Sequence, residues 1–349
     1  MAAPGENIVG IDAASVARWF AEHIAGSSGP LSFDIIAGGH SNLTYRVEGA
    51  SGDVYVLRRP PTGAVLATAH DMAREHRIIS GVARAGGVPV PNALGLCEDI
   101  SVNGAPFYIM SYVEGAVLDA AEKVEEHVPT MGERESIGAH VVEILARLHA
   151  VDVDAVGLGD LGRKEAYLAR QIKRWRTQWE NSKTRELPAM EEVAQALEDQ
   201  MPPQLSSGIV HGDFRLGNML AGPNGRIAAV LDWELCTLGD PLADVGYIMN
   251  NWAQPGEEGV TSRGAAQAPT TAGGFLTRED FLRRYEELTG RDVSGIPYYR
   301  AFQYWRLAAI VEGVMARYLK GVMGDEADTD EFREQVDGLA QAAVDLIRA

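Results

Sequence analysis

The stretch from Ile209 to Glu234 constrains this chain more than any other part of it. Ile209-Val210-His211-Gly212-Asp213-Phe214-Arg215-Leu216-Gly217-Asn218-Met219-Leu220 is followed by Val230-Leu231-Asp232-Trp233-Glu234, which sets Asp213, Asn218 and Asp232 five and fourteen residues apart among short apolar runs. A phosphoryl group in transfer needs little covalent help from a protein; it needs a positioned nucleophile and cations that neutralise spreading charge. Asp213 is the candidate to receive the proton of an acceptor hydroxyl. Asn218 and Asp232 offer the hard oxygen ligands that magnesium prefers, in the small number it needs beside a triphosphate. Without such a role, Asp and Asn in these places would be ordinary turn residues.

The order His-x-Asp-x4-Asn, then Asp, resembles the catalytic loop and metal-binding aspartate of protein kinases. Gly212 stands where those enzymes have Arg, and Trp233-Glu234 where they have Phe-Gly. His-Gly-Asp with Asp-Trp-Glu is similar to the form found in the aminoglycoside phosphotransferase and choline kinase relatives of that fold. The resemblance implies an α+β, bilobal, protein-kinase-like fold. Residues 1–113 would form the N-terminal nucleotide-binding lobe, an antiparallel sheet with a helix; residues 114–349 would form a larger, mainly helical lobe for catalysis and acceptor binding. It implies ATP and Mg2+ as cofactors and the hydroxyl of a small molecule as acceptor. Arg215 falls where protein kinases carry a Lys that approaches the transferring phosphate, and a guanidinium presents a planar fork of donors to phosphate oxygens. His211 joins the catalytic group as the brace of the loop through backbone hydrogen bonds. In Gly239-Asp240-Pro241-Leu242-Ala243-Asp244-Val245-Gly246, Asp240 is expected to cap a helix beginning at Pro241, and Asp240 and Asp244 to hold the catalytic loop.

Upstream, Phe33 to Val47 reads as strand, Gly-rich turn and strand. By itself Gly38-Gly39-His40-Ser41-Asn42 is turn chemistry; in a kinase-type fold a loop at this point covers the phosphates, which makes Ser41 and Asn42 candidate phosphate contacts. The strand Val54-Tyr55-Val56-Leu57-Arg58-Arg59 ends at Pro60-Pro61. Arg58 falls at the position of the phosphate-binding Lys of kinases, a departure that keeps the cation and is similar to choline-kinase-like members. Strand alternation points Arg59 to the opposite face. In the helix from Asp71 to Arg84, Glu75 resembles the helix Glu that pairs with the strand cation. Ala93 to Tyr112 reads as two strands joined at Asn103-Gly104. Its second strand resembles the interlobe hinge, so Met110 and Tyr112 are candidates for the adenine site.

With 349 residues the chain exceeds what one core usually holds, and 46% hydrophobic residues can fill two. A formal charge of −18 repels polyanions and excludes binding to nucleic-acid phosphates as a main role. The acidity otherwise favours a cationic acceptor or serves only solubility. Cys97 and Cys236 lack metal-type spacing and suit a reducing cytoplasm. No export signal and no membrane-spanning apolar run are legible, so no membrane partner is expected.

Asp12 is positioned to cap a first helix carrying Val16, Trp19, Phe20 and Ile24. Further helices are expected from Glu133 to Ala150, Lys164 to Asn181 and Met190 to Met201. Residues 254–274 lack periodicity and read as a surface insertion or lid. Thr277 with Asp280 opens a helix to Leu288, and helices from Tyr298 to Val322 and Glu331 to Ile347 close the chain. The segment Phe302 to Tyr318, with Val56-Leu57-Arg58-Arg59-Pro60-Pro61, looks like the branch also found joined to acyl-CoA dehydrogenase domains. That branch is linked with phosphorylating hydroxylated acyl chains, so a hydroxyacyl compound stands beside an aminoglycoside as expected acceptor, with Trp305 and Arg306 as candidate acceptor-binding residues. A metal-dependent phosphohydrolase would account for the Asp and Asn ligands but would call for more His ligands; a nucleotide-binding pseudokinase is the alternative that shares every motif. The acceptor, the choice between ATP and GTP, and the oligomeric state stay open.

Overall fold

The computed structural model describes residues 8–27, 29–37, 42–62, 70–257, 268–321 and 328–349. The chain is α+β, with an antiparallel sheet first and a helical body after it. Strands β1 (Leu31–Ala37), β2 (Leu43–Gly49), β3 (Val54–Arg59), β4 (Ala93–Cys97) and β5 (Phe107–Ser111) pair antiparallel in the order β1-β2-β3-β5-β4. Because strand side chains alternate faces, the sheet divides its residues sharply. Phe33, Tyr45, Val47, Leu57, Phe107 and Ile109 pack with Val16, Trp19, Phe20 and Ile24 of α1 (Ala13–His23) in one core. Val56, Tyr108 and Met110 belong to the other face, whose core continues through α2 (Met72–Ala85) into the helical body. Arg58 and Arg59 follow the same alternation. Arg59 is buried on the opposite face, donating to the carbonyls of Gly10 and Asn103, while Arg58 turns toward the helical body.

Local signals set many of the boundaries. Asp12 accepts from the Ser15 amide and caps α1, and Asp71 accepts from the Arg74 amide and caps α2. The expected tight hairpin at Asn103-Gly104 is corrected. A one-turn helix, α3 (Ile100–Asn103), lies between β4 and β5, and Gly104 closes it at φ 70°. The Asn103 side chain accepts from the Asp12 amide, so it serves tertiary packing and not a two-residue turn.

The helical body comprises α4 (Ala121–His127), α5 (Met131–His149), α6 (Tyr167–Ser182), α7 (Pro188–Asp199), α8 (Leu242–Asn251), α9 (Arg278–Thr289), α10 (Ile296–Leu319) and α11 (Thr329–Arg348). Two small sheets punctuate it: β6 (Ala116–Val117), β8 (Met219–Gly222) and β9 (Arg226–Val230) in the order β6-β8-β9, and β7 (Gly208–Val210) with β10 (Thr237–Gly239). Thr277 accepts from the Asp280 amide and opens α9, as its sequence suggests. Helix α8 starts at Leu242, one residue later than expected, with Asp240 Oδ1 accepting the Leu242 amide at 3.1 Å. Of the segment read as a lid, 258–267 lie outside the described residues. Its described end is anchored, with buried Thr270 donating to the Ala253 carbonyl at 2.7 Å and Arg134 donating to the Ala272 carbonyl. Among the described residues, no helix is long and apolar enough to cross a membrane.

Helices α8 and α10 meet tightly at Gly246, where an added Cβ would lie 2.6 Å from Tyr299 Cβ and 2.8 Å from its backbone carbon. Neither can yield without moving a helix. Gly246→Ala is therefore expected to cost about 1–3 kcal/mol or more through overpacking, read as a lowered midpoint in denaturant melts.

Candidate active site

The loop between β7 and β8 holds Asp213 and is itself held from behind. Fully buried Asp244, in the first turn of α8, accepts the His211 amide at 2.6 Å and the Gly212 amide at 2.9 Å. His149 lies 3.4 Å from the same carboxylate and makes a 2.7 Å hydrogen bond with Tyr285. The His211 ring bridges the loop to the segment just after β9: Nε2 donates to the Leu231 carbonyl at 3.0 Å, while Nδ1 accepts the Asp213 amide at 3.3 Å. That pattern assigns the proton to Nε2 and makes His211 a brace. Gly212 has φ 86°, and a Cβ there would meet Leu235 at 3.0 Å, which explains glycine at this position.

Asp213 is surrounded by donors. Asn218 Nδ2 lies 2.6 Å from Oδ2 and 2.9 Å from the Asp213 carbonyl, and Arg215 Nε lies 3.2 Å from Oδ1. The Tyr247 hydroxyl also donates to Oδ1. With its nitrogen committed, Asn218 keeps Oδ1 as its remaining acceptor, the orientation a cation ligand requires. The Leu231 amide donates to the Asn218 carbonyl at 2.8 Å and ties loop to strand next to Asp232. Asp232 adopts φ 64°, a left-handed conformation rare outside glycine, while buried Trp233 donates to the Val230 carbonyl and pins the turn. Such strain persists where surrounding structure over-determines it.

The sheet supplies the opposite wall. Arg58 Nε lies 3.0 Å from Glu75 Oε2, its Nη2 lies 2.7 Å from Asp232 Oδ1, and Glu234 is 3.6 Å away. Burial works against the guanidinium charge, but Glu75 and Asp232 outweigh it and hold Arg58 above its ordinary range. Burial pushes the Glu75 carboxyl up to about 7, against the opposing pull of Arg58 and of the Tyr108 hydroxyl, which donates to it at 3.1 Å. Asn42 is buried. Its Nδ2 donates to Glu75 at 2.9 Å and to Glu234 at 3.3 Å, while its Oδ1 meets His70 at 2.7 Å. Expected as a phosphate contact, Asn42 is instead tied into this network, and Ser41 lies outside the described residues.

Between these walls lies a cleft of about 360 Å³. Arg58, Asn218 and Asp232 line its polar end, Met110, Tyr112 and Val113 its hinge side, and Ile36, Val56, Leu220 and Val230 its apolar faces. Among the described residues no cluster of three or more His, Cys, Asp or Glu side chains is placed to hold a metal ion. The donor set present, an amide oxygen and a carboxylate, suits magnesium that completes its shell with phosphate and water oxygens.

Arg306 reaches the catalytic loop, donating to the Gly212 carbonyl at 3.4 Å and to Gln303 at 3.0 Å, with its guanidinium 5.4 Å from the Trp175 ring. Trp305 does not share that location. It is fully buried and donates to the Met190 carbonyl, so its expected acceptor contact is corrected to a role in the core. Tyr247 went unnoticed in the sequence, although it lies one helical turn after Asp244, on the face that already meets the loop.

The pattern of the phosphotransferase enzyme family matches residues 32–290. The chain belongs to that family. This phosphotransferase-family chain is 34% identical to a putative aminoglycoside phosphotransferase from Ralstonia eutropha, whose structure it matches with a TM-score of 0.81 over 97% of this chain and 98% of that one. A thermostable mutant of an aminoglycoside phosphotransferase in ternary complex with AMP-PNP and hygromycin B matches with a TM-score of 0.58 at 19% identity, a likeness of fold. Among curated proteins, acyl-CoA dehydrogenase family member 10 of Mus musculus is 36% identical over 92% of this chain, and member 11 of Gallus gallus is 33% identical over 91%. The chain spans 30% and 41% of those two relatives' lengths.

Two outcomes follow from the wall network. Arg58→Met leaves Glu75 and Asp232 facing each other without their shared cation, and a loss of about 3–5 kcal/mol is expected in denaturant unfolding. Glu75 binds its proton more tightly folded than unfolded, since its carboxyl rises from 4.5 to about 7. Its contribution is thus fully present below pH 4.5 and lost as pH rises through about 7. Glu75→Gln should flatten the stability profile in that window, as measured by melts from pH 4 to 8.

Proposed function

We propose that this phosphotransferase-family chain is an ATP- and magnesium-dependent kinase that moves the γ-phosphate to a hydroxyl of a small molecule. The observation that carries the reading is the convergence of Asn218, Asp232 and Arg58 from the facing sheet at one end of a single cleft, with Asp213 on its braced loop hydrogen-bonded to Asn218. In this reading the acceptor hydroxyl gives its proton to Asp213 as its oxygen bonds to the γ-phosphorus. The bond from that phosphorus to the bridging oxygen breaks, and ADP leaves with the electron pair. Magnesium held by Asn218 and Asp232 would supply positive charge against the phosphate oxygens. Arg58, oriented by Glu75, is assigned to the phosphates further from the transferring group, and Arg215 to the transferring group itself. Met110 to Val113 are assigned to the adenine, between the apolar walls of Val56 and Leu220. Inside this scheme Asn42 steadies Glu75 and leaves phosphate contact to others.

The acceptor end carries cations. Arg215 and Arg306 border the catalytic loop, which disfavours a polycation such as an aminoglycoside and favours a hydroxyl compound bearing negative charge, such as a hydroxyacyl thioester of coenzyme A. The names of the acyl-CoA dehydrogenase family relatives agree with that class.

The decisive assay is magnesium-dependent ADP release from ATP with hydroxyacyl-CoA esters, aminoglycosides, choline-like amines and sugars as acceptors. Stimulation by the anionic acceptors is expected, with kcat lowered at least about 100-fold in Asp213→Asn. A variant as active as the wild type would overturn the mechanism, and ATP binding without release for any acceptor would favour the pseudokinase. Asp232→Asn is expected to remove the magnesium dependence of nucleotide binding, as measured by calorimetry with and without the ion.

A further inference from the structure

Helix α8 meets the catalytic loop twice. Asp244 takes two backbone amides of the loop, and one turn later the Tyr247 hydroxyl donates to Asp213 Oδ1. Each carboxylate oxygen has two in-plane lone pairs. On Oδ1 these meet Tyr247 and the Arg215 Nε at 3.2 Å, and on Oδ2 one meets Asn218 at 2.6 Å. Among the described residues one lone pair is left over, on Oδ2.

We propose that Tyr247 is a positioning residue for phosphoryl transfer, whose hydroxyl fixes the rotation of the Asp213 carboxylate so that its open Oδ2 lone pair faces the acceptor hydroxyl. What the carboxylate receives rests on the kinase reading; how the carboxylate is held does not. In that reading Arg215 turns to the transferring phosphate, while Asn218 keeps its nitrogen on Oδ2 as its oxygen serves the metal. Tyr247 is the donor that stays on Oδ1. Its platform is rigid, because the preceding Gly246 packs against Tyr299 too closely to admit a Cβ. Burial, reinforced by the neighbouring Asp213 charge, holds its phenol above the ordinary tyrosine range. It therefore remains a hydrogen-bond donor and does not compete with Asp213 as proton acceptor.

The test compares the wild type, Tyr247→Phe, and a protein with 3-fluorotyrosine placed at position 247, which keeps a hydroxyl donor. Steady-state kinetics are measured with ATP and the best acceptor, together with thermal melts and crystal structures with a bound ATP analogue. Tyr247→Phe is expected to lower kcat about 10- to 100-fold through misplacement of the base. KM for ATP should stay within about twofold, and fluorotyrosine should restore kcat. An unchanged kcat overturns the proposal; so does a fall in kcat, a rise in both KM values and a loss of thermal stability that move together, the signature of a purely structural residue. If the wild type turns over no acceptor, the kinase reading fails and the crystal structures decide this one. A rotated Asp213 carboxylate in Tyr247→Phe supports positioning by Tyr247, and an unrotated one overturns it.

Discussion

The buried carboxylate of Asp244 accepts the consecutive amides of His211 and Gly212, and the arrangement of the catalytic loop depends on that pair of hydrogen bonds. A loop that must present Asp213 to a cleft cannot satisfy its own backbone donors, and unsatisfied buried amides are costly. Asp244 meets that requirement from a helix whose packing against α10 leaves it no freedom to shift. The backbone at Gly212 is left-handed, and a Cβ there would meet Leu235 at 3.0 Å, so glycine suits the turn that presents these two amides.

A second set of charges joins the sheet to this loop. Arg58 touches Glu75 from α2 and Asp232 from the strand turn, so one guanidinium spans three elements far apart in sequence. Glu75 is buried and Asp232 partly so, and carboxylates placed this close are favoured by a shared counter-charge. In the proposed nucleotide site, Arg58 would serve the phosphates while Asp232, which it touches at 2.7 Å, would keep an oxygen for a metal. Tyr108 and Asn42 complete the shell around Glu75, which is why an asparagine expected at the phosphates is found supporting the wall behind them.

Much of this was legible from the residues alone. The spacing of Asp213, Asn218 and Asp232 forecast their convergence, and strand alternation forecast the opposite directions of Arg58 and Arg59. Caps at Asp12, Asp71 and Thr277 are local hydrogen bonds, so local sequence predicts them well. The misreadings share a cause. Asn103-Gly104 has the chemistry of a tight turn, yet the Asn103 side chain is claimed by the Asp12 amide 91 residues away. Trp305 and Arg306 are neighbours on α10, but helical geometry turns one into the core and the other toward the loop.

The sequence by itself determined the family and the α+β class and proposed the groups to handle a phosphate, because these rest on residue type and spacing along short segments. Only the tertiary structure decided which donors meet each oxygen of Asp213, that Asn42 supports Glu75, and that Tyr247 stands beside the base. Those contacts join residues tens to hundreds of positions apart. Whether such a side chain reaches a site is fixed by how helices and sheet pack, a property of the assembled core that no local pattern encodes.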